Sequence, residues 1–173
     1  MPEPNSISGE MCPFCHTKNL TLLEEEVEVP YFGKVFVFSM SCTNCKYNKA
    51  DIEAEEAKPP SKFTLDITDE KDMEIRVVRS SEGTIKIPRI GSIEPGPSAI
   101  GFISNVEGCF QRIKEKIEHI RDSDDDDDNK KKARKMIKKI NRIMMGQDKS
   151  KLVIEDPSGN SAIISDKAVK SKL

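Results

Sequence analysis

The stretch VPYFGKVFVFSMSCTNC, residues 29–45, decides how the chain is read. An apolar run over residues 31–40 leads into a Cys-x-x-Cys pair, Cys42 and Cys45. Upstream, CPFC places a second pair at Cys12 and Cys15. Two residues between cysteines let a tight knuckle turn both sulfurs toward one ion. Two knuckles then complete a tetrahedral four-thiolate shell that leaves no position open for water, which suits structural zinc. A redox Cys-x-x-Cys occurs singly within a βαβ pattern, which is absent here. Disulfides do not suit a chain whose first residues show no export signal. Iron satisfies the same spacing, and our expectation is one structural zinc on Cys12, Cys15, Cys42 and Cys45.

Between the knuckles, residues 20–29 and 31–40 read as strands broken at Pro30, making residues 1–56 a zinc ribbon. Tyr31 and Phe32, at the start of the apolar run, are candidate partner contacts. The first strand carries Glu24, Glu25, Glu26 and Glu28. Phosphate binding needs clustered cations. The whole chain has 28 basic against 30 acidic residues and no tryptophan, so neither a global positive field nor base-stacking platforms are available. Nucleic-acid association in transcription or translation therefore ranks behind protein contact. His16 reads as a surface residue and Cys109 as a small core residue. With His16 and His119 the only histidines, no nucleophile–base pair is legible, and no enzyme is expected.

Pro59-Pro60 marks a linker over residues 57–62. Beyond it, KFTLDIT, DMEIRVVRS and GTIKIP alternate as short strands, and residues 90–102 are turn-rich, which suggests a β-sandwich or open barrel. Ser104 and Glu107 match a capping box. Apolar residues then recur at three and four through residue 120 and again over 133–144, reading as a helical hairpin at about 104–145. The Asp run between the helices lacks the spacing of a calcium loop and reads as a solvated turn. Leu152 and Ile154 lead into the turn DPSGN, from Asp156 through Gly159 and Asn160, and a strand resumes at 162–164. Residues 166–173 show no core pattern and are expected to be disordered. The last three match a peroxisomal address, a short pattern that a Lys- and Ser-rich tail meets by chance. No apolar run is long enough to span a bilayer, and a cytoplasmic protein is expected.

The ordered set CPFC, VPYF leading to CTNC, DMEIRVVRS, Ile87-Pro88, NVEG (105–108) and DPSGNS (156–161) resembles the ZPR-type zinc-finger family over nearly the whole chain. The resemblance implies an α+β chain that is mainly β. It would consist of a four-cysteine zinc ribbon followed over residues 57–165 by a double-stranded β-helix carrying the hairpin. Eukaryotic members carry two such modules and bind translation elongation factor 1-alpha, in the manner of a folding chaperone. A single module, as in archaeal relatives, implies a minimal form with that partner, and adds Asp156, Gly159 and Asn160 to the candidate contacts. Arg89 stands where the family usually has an acid, and Asn105 where it usually has Thr.

Overall fold

The computed structural model describes residues 5–29, 33–55, 58–96 and 98–173. Among these, the strands form three sheets. The ribbon is an antiparallel sheet of β1 (Asn5–Glu10), β2 (Leu20–Val29), β3 (Gly33–Cys42) and β4 (Asn48–Ala54), in that order. Its register explains why residues 35–40 are apolar without alternation. Leu20 faces Cys42 and Leu22 faces Met40, whereas Val27 faces Val35 and Val37 faces Ile52. Side chains alternate across a strand, so the first set lies on one face and the second on the other. Near the knuckles the ribbon buries the face of Leu20, Leu22 and Met40 around the cysteines. At its far end it buries the opposite face, with Val27, Val29, Val35, Val37 and Ile52, against Val78, Ile103 and Ile164. A strand that buries both faces at different points needs apolar residues on both.

The second part is a jelly roll. Its larger sheet has the order β12 (Val169–Lys172), β5 (Ser61–Ile67), β10 (Ser150–Asp156), β7 (Thr84–Ile87), β8 (Gly91–Ile93). The smaller sheet has the order β11 (Ala162–Ile164), β6 (Arg76–Arg79), β9 (Phe102–Asn105). Helices α1 (Val106–Ser123) and α2 (Asp127–Met144) form the expected hairpin between β9 and β10. The core joins Leu65, Ile85, Leu152 and Ile154 of the large sheet to Val77 and Ile163 of the small one, with Phe110, Ile113, Ile140 and Ile143 from the helices. The small sheet is a middle layer: Val77 points into this core and Val78 into the ribbon contact. That position demands the consecutive valines.

Four local expectations are corrected. Residues 72–74, the start of the DMEIRVVRS stretch, belong to a 3-10 turn, Glu70–Glu74, rather than a strand. Asp69 caps this turn by accepting from the Lys71 N–H, and Asp72 is buried within it. Ser104 does not cap α1. Asn105 does, accepting from the Gly108 N–H at 2.8 Å, so the residue that departs from the family pattern performs the capping itself. Ser61 and Lys62, expected in the linker, belong to β5. Residues 166–173 are not a disordered tail, because β12 pairs with β5 from Val169↔Thr64 to Lys172↔Ser61. Just before it, Lys167 donates to the buried Asp72 at 2.6 Å. β12 is exposed along its length, so main-chain pairing rather than apolar burial holds it, and no hydrophobic pattern announces it.

Candidate metal centre and the loop behind it

The two knuckles are built alike. Cys12 donates its N–H to the Thr17 carbonyl at 2.9 Å and accepts at its own carbonyl from the His16 N–H at 2.9 Å. Cys42 repeats this with Tyr47 at 2.8 Å and Lys46 at 3.1 Å. His16 and Lys46, each directly after the second cysteine, adopt the left-handed backbone with φ of 57° and 62°, which turns the chain back sharply enough to aim both sulfurs inward. Phe14 and Tyr47, one from each knuckle, stack with ring centroids 5.8 Å apart.

All four sulfurs lie within 4.8 Å of one another. The Cys12–Cys45 and Cys15–Cys42 separations across the knuckles are both 3.7 Å. A tetrahedron with metal–sulfur arms of about 2.3 Å has edges of about 3.8 Å, so the sulfur positions fit zinc. The electrostatics point the same way. Thr17 and Asn44, as hydrogen-bond partners, lower the Cys15 thiol to about 5. At Cys45 the Tyr47 N–H favours the thiolate, yet burial and the neighbouring sulfurs push the thiol up to about 12. Four thiolates crowded this closely need a cation between them. His16 is exposed, as expected of a surface residue. Cys109 is fully buried in the jelly-roll core, and that burial pushes its thiol up to about 12, which leaves it unreactive.

Tyr31 and Phe32 lie outside the described residues. The DPSGNS loop is described, and in it Asp156 and Gly159, named above as candidate partner contacts, are both buried. Asp156 accepts from the hydroxyls of Ser80 at 2.8 Å and Ser158 at 2.7 Å, from the Ser158 N–H at 2.8 Å, and from the Ser161 hydroxyl. Asn160 is half-buried, and its side-chain oxygen accepts from the Ala54 N–H of β4 at 3.2 Å. Asp51 reinforces the junction between ribbon and jelly roll by accepting from the Ser81 N–H at 2.9 Å and from its hydroxyl. The loop therefore fastens β10 to the small sheet and the ribbon. Asp-Pro-Ser-Gly chemistry signalled only a turn; the cluster on Asp156 also takes Ser80, distant in sequence, and the neighbouring Ser81 bonds Asp51.

Gly159 has φ +73°, and a Cβ there would sit 2.5 Å from the Lys58 carbonyl oxygen and 2.6 Å from that of Pro59. Both obstacles are backbone and neither can swing aside. Gly159→Ala is therefore expected to destabilise the chain by about 2–4 kcal/mol. The change would be read as a lower urea midpoint at unchanged slope.

A four-cysteine zinc ribbon docked on a jelly roll defines a protein whose metal holds structure. The ZPR1 zinc-finger domain profile matches residues 7–59, and the ZPR1 jelly-roll domain profile matches residues 71–172. A ZPR1-like protein of Pyrococcus horikoshii is 36% identical over 94% of this chain and 75% of its own length. One from Methanocaldococcus jannaschii is 36% identical over 88% of this chain and 78% of its own. The zinc finger chaperone zpr1 of Schizosaccharomyces pombe is 27% identical over 88% of this chain, which spans 34% of that longer protein. The chain belongs to the ZPR1 family.

Proposed function

We propose that this chain binds a client protein and assists its folding, and that the client is translation elongation factor 1-alpha, acting in the cytoplasm. The observation that carries the reading is the apolar tip of the ribbon. Phe14 is 76% exposed, although the metal knuckle fixes its position and Tyr47 stacks against it. Met11 and Ile7, earlier in the same segment, are each 59% exposed. A rigid, solvent-facing aromatic is characteristic of a protein contact. The exposed acids of β2 oppose nucleic acid on the same sheet. A closed four-thiolate shell supplies no open coordination position, so the reading assigns the protein binding rather than chemistry. Binding one folding intermediate or one nucleotide state shifts the client's population toward it. The fission-yeast relative's name supports the chaperone part; the elongation factor rests on the resemblance in motifs.

The test is a titration of the zinc-loaded chain with elongation factor 1-alpha from the same organism. It would use the factor with GDP, with a GTP analogue, without nucleotide, and during refolding. Binding that depends on nucleotide or foldedness, and that weakens in Phe14→Ala, is the expected result. No binding to any of these forms would remove the proposed client.

A further inference from the structure

Between the outer face of α1 and the loop after β8 runs an open groove of about 960 Å³. Ile93, Ala99 and Phe102 give it an apolar floor. Ile100 and Ile120, on its two sides, are 42% and 50% exposed. Its charged lining is Arg79, Arg112 and Lys116 against Glu94 and Glu115, and His119 also lines it.

Arg79 is only 2% exposed. Its Nε donates to the Gly83 carbonyl and its Nη1 to the Ile100 carbonyl, both at 2.8 Å. Its Nη2 is buried with no partner among the described residues. The Arg112 guanidinium lies 4.2 Å from the centroid of the Phe102 ring, and that of Arg79 lies 5.5 Å from the same centroid. Two cations therefore share one ring, and neither they nor Lys116 form an ion pair among the described residues. The acids nearby make their hydrogen bonds to other groups, although Asp156 and Asp51 act on Arg79 through charge. Glu94 accepts from the Ser92 hydroxyl and Glu115 from the Gln111 amide, Asp156 from its serines, and Asp51 from Ser81. Two cations beside one ring, with Lys116 a turn further along α1 and no ion pair to any of the three among the described residues, give the groove a positive lining that an incoming anion would complement.

We propose that this groove docks an acidic, aliphatic segment of the client protein. Its carboxylates would meet the exposed Arg112 and Lys116, with the Arg79 guanidinium adding positive charge to the same lining, and its aliphatic side chains would pack on Phe102 between Ile100 and Ile120. The proposal rests on the reading that the protein binds a client, and it adds a second contact surface on the jelly roll. A small phosphate compound offers the same oxyanion chemistry. The open form of the groove and its two exposed isoleucines favour a peptide instead.

The test uses the full zinc-loaded chain and a short fluorescent peptide alternating Glu with Leu, followed by anisotropy. The controls are a peptide with Lys in place of Glu, and inorganic phosphate and AMP as competitors. The Glu–Leu peptide is expected to bind and the Lys–Leu peptide not to. The double variant R112E/K116E, whose residues are exposed, should keep its thermal transition and bind at least about tenfold more weakly. Ile120→Glu should weaken binding as well. Unchanged affinity in R112E/K116E overturns the proposal, as does displacement of the peptide by phosphate or AMP at low concentration. The same variants titrated with elongation factor 1-alpha separate the two claims. If the factor binds wild type and R112E/K116E equally, the groove fails and the client stands. If the peptide binds and the factor does not, the client fails and the groove stands.

Discussion

Cys42→Ser is expected to release zinc and open the knuckle end of the ribbon. Cys42 is 3% exposed, at the end of β3, and packs with Cys12 and Leu20 beneath the sulfur cluster. Few other apolar residues support that end, so its stability resides largely in the metal. Structural zinc contributes an apparent 10–16 kcal/mol or so in small zinc-held domains at neutral pH, and a hydroxyl in place of a thiolate forfeits most of it. Metal analysis should find little zinc in the purified variant. Amide exchange should show lost protection from residue 10 to 23 and from 39 to 48, with β5 and β10 unaffected. Cys109→Ser, in the jelly-roll core, is the control and should retain full zinc. A Cys42→Ser variant that holds stoichiometric zinc with a protected ribbon would show that the metal is not bound as described.

Asp156→Ala should be the most damaging substitution outside the metal centre. The carboxylate is fully buried and receives three hydroxyls and a backbone N–H. Removing it strands all of these donors at the junction of β10, β6 and the ribbon, at a cost of about 3–5 kcal/mol. Burial alone would raise its pKa, but the Ser161, Ser158 and Ser80 hydroxyls outweigh burial and hold it below the ordinary 3.8. A folded-state pKa below the unfolded one means that the ionised group's contribution is complete above about 3.8. It drains away as the pH falls from there through the folded value. Urea midpoints of wild type and Asp156→Asn should therefore differ most near neutrality and converge in acid. A gap that stays constant with pH would assign the effect to shape rather than charge.

The metal centre was legible because it depends on residue type and spacing, which a sequence carries directly. The helical hairpin was legible because its stripe repeats over many residues. What escaped is structure that a neighbour imposes. β1 is exposed at all six positions, and β12 at all four. Each is a strand because an adjacent edge offers hydrogen bonds, not because its own side chains need burial. The loop 156–161 was legible as a turn, yet its role depends on Ser80 and Ser161 meeting across the sheet. The vacant donor of Arg79 has no local signature, since RVVR reads as strand with or without a groove beside it.

The pairing of β5 with β10 and β12 also sets a timetable for synthesis. Every strand of the ribbon lies within the first 54 residues, and each pairs with its neighbour in sequence, so this part can close on its metal early. β5 emerges next but must wait for residues 150–156 before either of its edges is covered, a closure of high contact order. Of the residues that cover Val29, Val35 and Ile52, Val78 and Ile103 precede β10 and Ile164 follows it, so the cover stays incomplete through that interval. The nascent chain thus carries a finished zinc knuckle and a partly covered apolar patch together, a stage at which transiently exposed apolar surface favours aggregation.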